Sequence, residues 1–237
     1  MEGVDRTFDA ALFDLDGVLT PTAIVHMAAW DEMFNDFLAT RGEKPYTEQD
    51  YFDHVDGKPR YDGVRDLLAS RGIELPYGDP SDDPAAETIC GLGNRKNDAF
   101  NAVLARDGVA PYPGSVRYVE ALARDGVKLA VVSSSKNAPA VLEAAGLAGH
   151  FPVVVDGAVA ALEGIPGKPA PDTFLTAAER LGVPRERAVV LEDATSGVAA
   201  GRAGGFGLVV GVDRGAGEQA LRDAGADRVV EDLADLL

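Results

Sequence analysis

This chain predicts a doubly wound α/β fold, a parallel sheet with helices on both faces, interrupted near its start by a block of helices. Three observations carry that expectation. From about residue 108 onward, short β-rich apolar runs alternate with stretches of helical periodicity, the pattern of strand–helix–strand units. A run of the same character, Ala-Ala-Leu-Phe at 10–13, stands alone near the N-terminus. Between the two, residues 22–105 carry helical patterns and no strand. The domain boundaries read from this are 1–20 and 108–237 for the α/β core and 21–107 for an inserted helical domain.

Taken in order, the first strand is the apolar run at 10–13, ended by the turn-forming Gly17. A helix is predicted over 22–41, because His26, Trp30, Met33 and Phe37 are spaced 4, 3 and 4 apart and share one face. Arg41-Gly42 stops it. Residues 51–60 read as a loop around Gly57 and Pro59. Val64, Leu67 and Leu68 mark a short amphipathic helix, and residues 76–84, rich in Pro, Gly and Asp, read as loop. A helical stretch follows over 85–106, with an interruption expected at Gly91 and Gly93. The second half predicts strands at 127–132, 153–155, 188–191, 208–212 and 228–230. Helices are expected between and beyond them at 116–124, 137–146, 171–182, 196–203 and 216–224.

Composition narrows the class. The chain has 237 residues, enough for a large core in one or two domains. No apolar stretch approaches the roughly 18 residues a membrane span needs. The first six residues, Met-Glu-Gly-Val-Asp-Arg, have neither a basic start nor an apolar core, so no signal peptide is read. The single cysteine, Cys90, excludes an internal disulfide and fits a reducing compartment. The cytoplasm is the expected location. A net charge of −17 argues against nucleic acid or an anionic membrane as partner. The same charge requires that any phosphorylated ligand meet local cations or a bound metal.

The candidate chemistry sits at strand ends. Asp14 closes the first strand and Asp16 follows two residues later, so in extended backbone both carboxylates project to one side. That end is where open α/β sheets place their ligands. Asp14 can act as a nucleophile, and Asp16 can move a proton onto or off an oxygen. Taken alone, the pair is equally a surface turn. Ser133-Ser134-Ser135-Lys136-Asn137 ends another strand and opens a helix, where hydroxyls and backbone N–H groups can receive an anion. Lys168 precedes a helix between prolines. Glu192 and Asp193 end a very apolar strand, a placement that packing explains poorly and a hard cation such as Mg²⁺ explains well.

As a set, these residues resemble the haloacid dehalogenase (HAD) superfamily of phosphoryl-transfer enzymes. Its four motifs match Asp14-Leu15-Asp16-Gly17-Val18, Ser133, Lys168 and Glu192-Asp193. The inserted helices are similar to its type I cap, and the sheet to its Rossmann-type core. Within the superfamily the chain resembles the β-phosphoglucomutase subgroup. That resemblance rests on His26-x-x-x-Trp30, Gly57-x-x-Arg60, Arg95-Lys96-Asn97-Asp98, Tyr112-Pro113-Gly114, the 133–137 segment and Gly167-Lys168-Pro169-Ala170-Pro171-Asp172. Pro21 and Lys58-Pro59 depart from the subgroup's pattern, and the cap is longer around 42–52 and 74–93.

The resemblance implies that Asp14, Asp193 and the backbone carbonyl of Asp16 hold Mg²⁺, with Glu192 close by or acting through water. It implies an aspartyl-phosphate on Asp14 and acid–base work by Asp16. Ser133, Lys168 and Thr22 would hold phosphoryl oxygens. His26, Trp30 and Lys96 would close over a small phosphorylated sugar, and Arg60 would take a second phosphate, assisted by Ser135, Lys136, Asn137 and Lys58. Three functions stay open: a phosphosugar mutase, a phosphatase, and a non-catalytic binding module. A monomer is the expected state.

Overall fold

The structure is a computed structural model that describes residues 8–237. The N-terminal segment read above as lacking a leader, and the first seven residues of the expected core, lie outside the described residues.

The chain divides into two compact units. One comprises the segment ending at Pro21 together with Val109–Leu237, and the other is Thr22–Gly108. In the first unit, β1 (Ala10–Phe13), β2 (Lys128–Val132), β3 (Val153–Val155), β4 (Ala188–Glu192), β5 (Leu208–Val212) and β6 (Arg228–Val230) form one sheet. Their order is β3-β2-β1-β4-β5-β6, and every pairing is parallel. Strands covered on both faces need no polar alternation, which is why β1 and β4 are buried at every residue. The α/β reading and its doubly wound order are thus present. β1 is the first strand and sits centrally, with Phe13 opposite Val131 on one side and Leu191 on the other. The winding reverses beside it, so the crevice at the strands' carboxyl ends is the site such a sheet offers.

Around and between these strands run helices α5 (Pro113–Arg124), α6 (Ala138–Ala144), α7 (Gly157–Glu163), α8 (Asp172–Leu181), α9 (Thr195–Gly204) and α10 (Glu218–Ala224). One face of the sheet packs Leu12, Val132 and Val190 with Phe174, Val198 and Phe206 into a continuous core. Helix α7 was not expected. Its signals were nevertheless present: the Asp156 side chain accepts from the N–H groups of Ala158 and Val159, and Gly164 ends the helix in left-handed geometry.

The second unit is built of helices joined by loops, with no strand among its described residues. It contains α1 (Thr22–Ala39), a turn α2 (Glu48–Asp50) continuing into a π-helical turn (Tyr51–Val55), α3 (Arg60–Ser70) and α4 (Ile89–Asp107). The expected loop at 51–60 is therefore confined to its second half. Trp30, Met33 and Phe37 are buried along α1 as their spacing predicts, and they join Phe34, Leu38, Tyr46, Leu67 and Leu92 in a separate core. The expected break at Gly91 and Gly93 does not occur. Helix α4 runs through both, starting at Ile89 because the Thr88 hydroxyl accepts the Gly91 N–H at 2.9 Å. The glycines serve close packing instead. A Cβ at Gly91 would lie 2.3 Å from the Ala86 carbonyl oxygen, and one at Gly93 would lie 2.7 Å from the Tyr61 ring. No helix among the described residues is long and apolar enough to cross a membrane.

Candidate active site

Four segments of the sheet unit converge where β2, β1 and β4 end. Asp14 follows β1 and donates its N–H to the Leu191 carbonyl at 2.9 Å, which ties it to the end of β4. Beyond it, residues 15–20 form a tight loop in which the Gly17 N–H donates to the Thr20 carbonyl at 2.8 Å. Gly17 is at φ +83°, and a Cβ there would lie 1.8 Å from an Asp193 oxygen. Only glycine satisfies both conditions. Its absent side chain brings the Asp193 carboxylate down against the loop.

Lys168 is the electrostatic centre. Its ammonium lies 2.5 Å from Asp14 Oδ1, 2.5 Å from Glu192 Oε1 and 3.0 Å from the Val132 carbonyl. The three residues are 3%, 7% and 0% exposed for Lys168, Asp14 and Glu192. At this depth the desolvation cost of each charge is large, and each member requires the others to offset it. Burial alone would lower the Lys168 pKa, but the Asp14 and Glu192 carboxylates outweigh it and raise it. Burial drives the Asp14 carboxyl well above its ordinary range; Lys168 opposes this, and Glu192 and Asp16 reinforce it.

Glu192 is held from both sides. Its second oxygen accepts the Ala194 N–H at 2.9 Å, and Gly197 in the first turn of α9 leaves room for its carboxylate. The carboxylates of Asp14, Glu192 and Asp193 have oxygens within 4.8 Å of one another. An all-oxygen set of this kind suits a hard divalent cation. The Asp16 carboxylate is not one of the three. It faces Ser133 instead, whose hydroxyl donates to it at 3.5 Å.

Ser133 and Ser135 order the loop before α6. The Ser133 hydroxyl accepts the Ser135 N–H at 3.1 Å, and the Ser135 hydroxyl accepts the Asn137 N–H at 3.1 Å. The Gly157 N–H donates to the Ser135 carbonyl and closes the loop from the β3 side. Lys136 on this loop is exposed.

The helical unit gathers its own candidates. Lys96 is 3% exposed; its ammonium meets His26 Nδ1 and lies 4.9 Å from the Trp30 ring centroid and 5.2 Å from that of Phe100. His26 stacks on Phe100 at 4.0 Å. The half-buried Arg60 donates to Asn97 Oδ1 at 2.6 Å, and among the described residues it forms no ion pair with a carboxylate. Lys58, by contrast, is held by Asp66 at 3.1 Å. Thr22 is buried at the first position of α1.

Two supports escaped the sequence reading. Gly197 looked like an ordinary helical glycine. Arg214, after β5, donates to the Gly17 carbonyl at 3.0 Å and lies 4.0 Å over the Tyr112 ring. Nothing local marks either residue, because their partners are five and nearly two hundred positions away along the chain.

The model of the family described as haloacid dehalogenase-like hydrolase matches residues 8–205. The chain belongs to that family. This HAD-like chain is an enzyme of the phosphotransferase and phosphatase class. It is 53% identical over 245 residues to a β-phosphoglucomutase of Mycobacterium bovis, covering 99% of this chain and 94% of the relative. A hydrolase of Pseudomonas syringae superposes with a TM-score of 0.79 at 26% identity, covering 96% of this chain and 95% of that one. The CbbY protein of Rhodobacter sphaeroides, in complex with xylulose-(1,5)bisphosphate, superposes with a TM-score of 0.75 at 27% identity, covering 97% and 96%.

Proposed function

We propose that this HAD-family enzyme transfers a phosphoryl group on a small phosphorylated sugar through an aspartyl-phosphate on Asp14, as a mutase most similar to β-phosphoglucomutase. The observation that carries the reading is the buried trio Asp14, Lys168 and Glu192, a nucleophile held against a cation at the end of the central strand. The sugar and the mutase outcome rest on the 53% identity to a β-phosphoglucomutase and on Arg60, whose planar guanidinium suits a second phosphate.

Asp14 supplies a carboxylate oxygen that bonds to phosphorus as the sugar oxygen leaves. Asp16 gives that oxygen its proton. In the mutase cycle a hydroxyl of a sugar monophosphate, whose own phosphate Arg60 would hold, attacks the phosphorus on Asp14 and loses its proton to the Asp16 carboxylate. The Asp14 carboxylate is released, and the sugar bisphosphate formed then returns its other phosphoryl group to Asp14. Lys168 and the Ser133 hydroxyl carry the charge of the phosphoryl oxygens, so catalysis is largely positioning and neutralisation. Asp14, Asp193 and the Asp16 carbonyl would hold Mg²⁺, with Glu192 beside them, and the acidic group fits such an ion. When bound, the cation neutralises charge shared between these carboxylates and the phosphoryl oxygens. In the mutase reading, His26, Trp30 and Lys96 would serve to keep water from the aspartyl-phosphate.

Hydrolysis is the second reading, favoured by the family description. There water replaces the attacking sugar hydroxyl. A reducing compartment such as the cytoplasm fits the buried free thiol of Cys90. The test supplies β-glucose 1-phosphate, Mg²⁺ and a trace of glucose 1,6-bisphosphate, and follows glucose 6-phosphate and free phosphate together. Isomerised product well above phosphate, lost in Arg60→Ala, supports the mutase. Stoichiometric phosphate without isomerised product from any sugar phosphate supports the phosphatase.

A further inference from the structure

We infer that the extended loop before α4 is a buttress that acts through Asn94 and Tyr61 to fix the Arg60 guanidinium for a second phosphate on the substrate. The inference rests on the reading of Arg60 given above and adds the residues that position it.

The loop has its own hydrogen-bonded frame. Asp82 accepts from the Thr88 hydroxyl at 2.6 Å and from the Asp79 N–H at 3.1 Å, while the Ile89 and Cys90 N–H groups donate to the carbonyls of Pro76 and Tyr77. Helix α4 then grips the loop's backbone. Asn94 Nδ2 donates to the Pro80 and Asp82 carbonyls at 3.1 and 2.9 Å, and Arg95 Nε donates to the Pro84 carbonyl at 2.9 Å. With its amide nitrogen committed to the loop, Asn94 is oriented so that its Oδ1 accepts the Tyr61 hydroxyl at 2.9 Å. Loop, amide and phenol therefore form one chain of bonds.

That chain ends at Arg60. The Tyr61 ring packs on Gly93, where a Cβ would lie 2.7 Å from Cδ1 of the ring and 3.1 Å from Arg60 Cδ. The guanidinium carbon lies 5.9 Å from the same ring's centroid. Asn97, one helical turn beyond Gly93, accepts from Nη2 at 2.6 Å. The arginine's stem and fork are thus both set by one face of α4; the Asp98 carboxylate acts on its charge from nearby, and among the described residues no carboxylate is paired with it. Pre-organising a side chain that must meet a ligand reduces the ordering cost of binding.

Asn94 and Tyr61 are positioning residues, so their loss should appear in binding of the second phosphate and not in the chemistry. The probes are glucose 1,6-bisphosphate, which carries a second phosphate, and p-nitrophenyl phosphate, which does not. Asn94→Leu cuts the chain of bonds; Tyr61→Phe removes only the hydroxyl and preserves the ring against Gly93. Each should raise KM for the bisphosphate about three- to tenfold, the scale of one positioning hydrogen bond, with kcat within about twofold. The rise should exceed that for p-nitrophenyl phosphate by at least threefold. Combined with Arg60→Ala, Asn94→Leu should add nothing, because both changes act through one group. Equal rises for the two substrates, or full additivity with Arg60→Ala, would overturn the inference. If Arg60→Ala discriminates between the substrates and Tyr61→Phe and Asn94→Leu do not, the buttress alone is wrong. If Arg60→Ala itself fails to discriminate, the reading of Arg60 falls first and the buttress with it.

Discussion

Gly197→Ala sets two physical effects against each other, and the structure decides between them. In a helix, replacing glycine by alanine ordinarily stabilises by about 0.5–1 kcal/mol through backbone entropy. At Gly197 the new methyl would sit 1.8 Å from Glu192 Oε1 and 2.0 Å from its carboxyl carbon. That carboxylate is fully buried and bonded to Lys168 and to the Ala194 N–H, so it has no solvent to retreat into. Forcing it aside breaks a buried ion pair, at about 3–5 kcal/mol. The penalty exceeds the entropy gain, for a net loss of about 2–4 kcal/mol and a fall in Tm of roughly 5–15 °C. Gly63→Ala is the control. It lies inside α3, and its Cβ would meet Val55 Cγ1 at an ordinary 3.4 Å, so there the entropy term stands alone. Thermal unfolding by circular dichroism, with turnover measured on the same samples, compares the two. A Gly197→Ala protein as stable and active as the parent would refute the claim that α9 approaches β4 closely in order to seat Glu192.

Asp16→Asn should lower turnover of sugar phosphates by about 10²–10⁴-fold, and less for aryl phosphates, whose leaving groups need little protonation; equal losses would assign Asp16 to structure alone. The Tyr46 hydroxyl is buried with no hydrogen-bond partner among the described residues while its ring stacks on Phe34 at 5.0 Å, so Tyr46→Phe should stabilise by about 1 kcal/mol, read from a denaturation midpoint. Burial pushes the Asp50 carboxyl up, but hydrogen bonds from Thr47 and the Arg71 guanidinium outweigh it and hold it below its ordinary value. The stability it contributes is complete above the unfolded pKa of about 3.9 and is lost as pH falls through the lower folded value. Asp50→Asn should therefore reduce Tm at neutral pH, with the gap closing as pH falls below about 3.9 and through the lower folded value.

What the sequence revealed was whatever the chain repeats locally. Alternating strand and helix runs disclosed the parallel sheet, because strands buried on both faces must be continuously apolar. The placement of Asp14, Ser133 and Glu192 at strand ends disclosed where chemistry would sit, since a charged group closing such a strand has few packing explanations. The structure joins Asp14, Lys168 and Glu192 within hydrogen-bond reach, and sets Asp16 against Ser133. Features that depend on distant partners were not legible. Gly91 and Gly93 read as helix breakers because their reason for being glycine lies in Ala86 and Tyr61. Helix α7 was missed because none of its residues is fully buried and it carries no apolar stripe, even though Asp156 and Gly164 cap it. The hold of Arg214 on the Gly17 carbonyl leaves no local trace at all.

The central claim is that Asp14 carries the phosphoryl group. Its most direct test is to mix the protein and Mg²⁺ with glucose 1,6-bisphosphate, quench in acid, and locate the added phosphoryl mass by peptide mass spectrometry. The account predicts one phosphoryl group on the peptide containing Asp14, and its absence together with turnover in Asp14→Asn. A phosphoryl group on another residue, or undiminished turnover in Asp14→Asn, would contradict it.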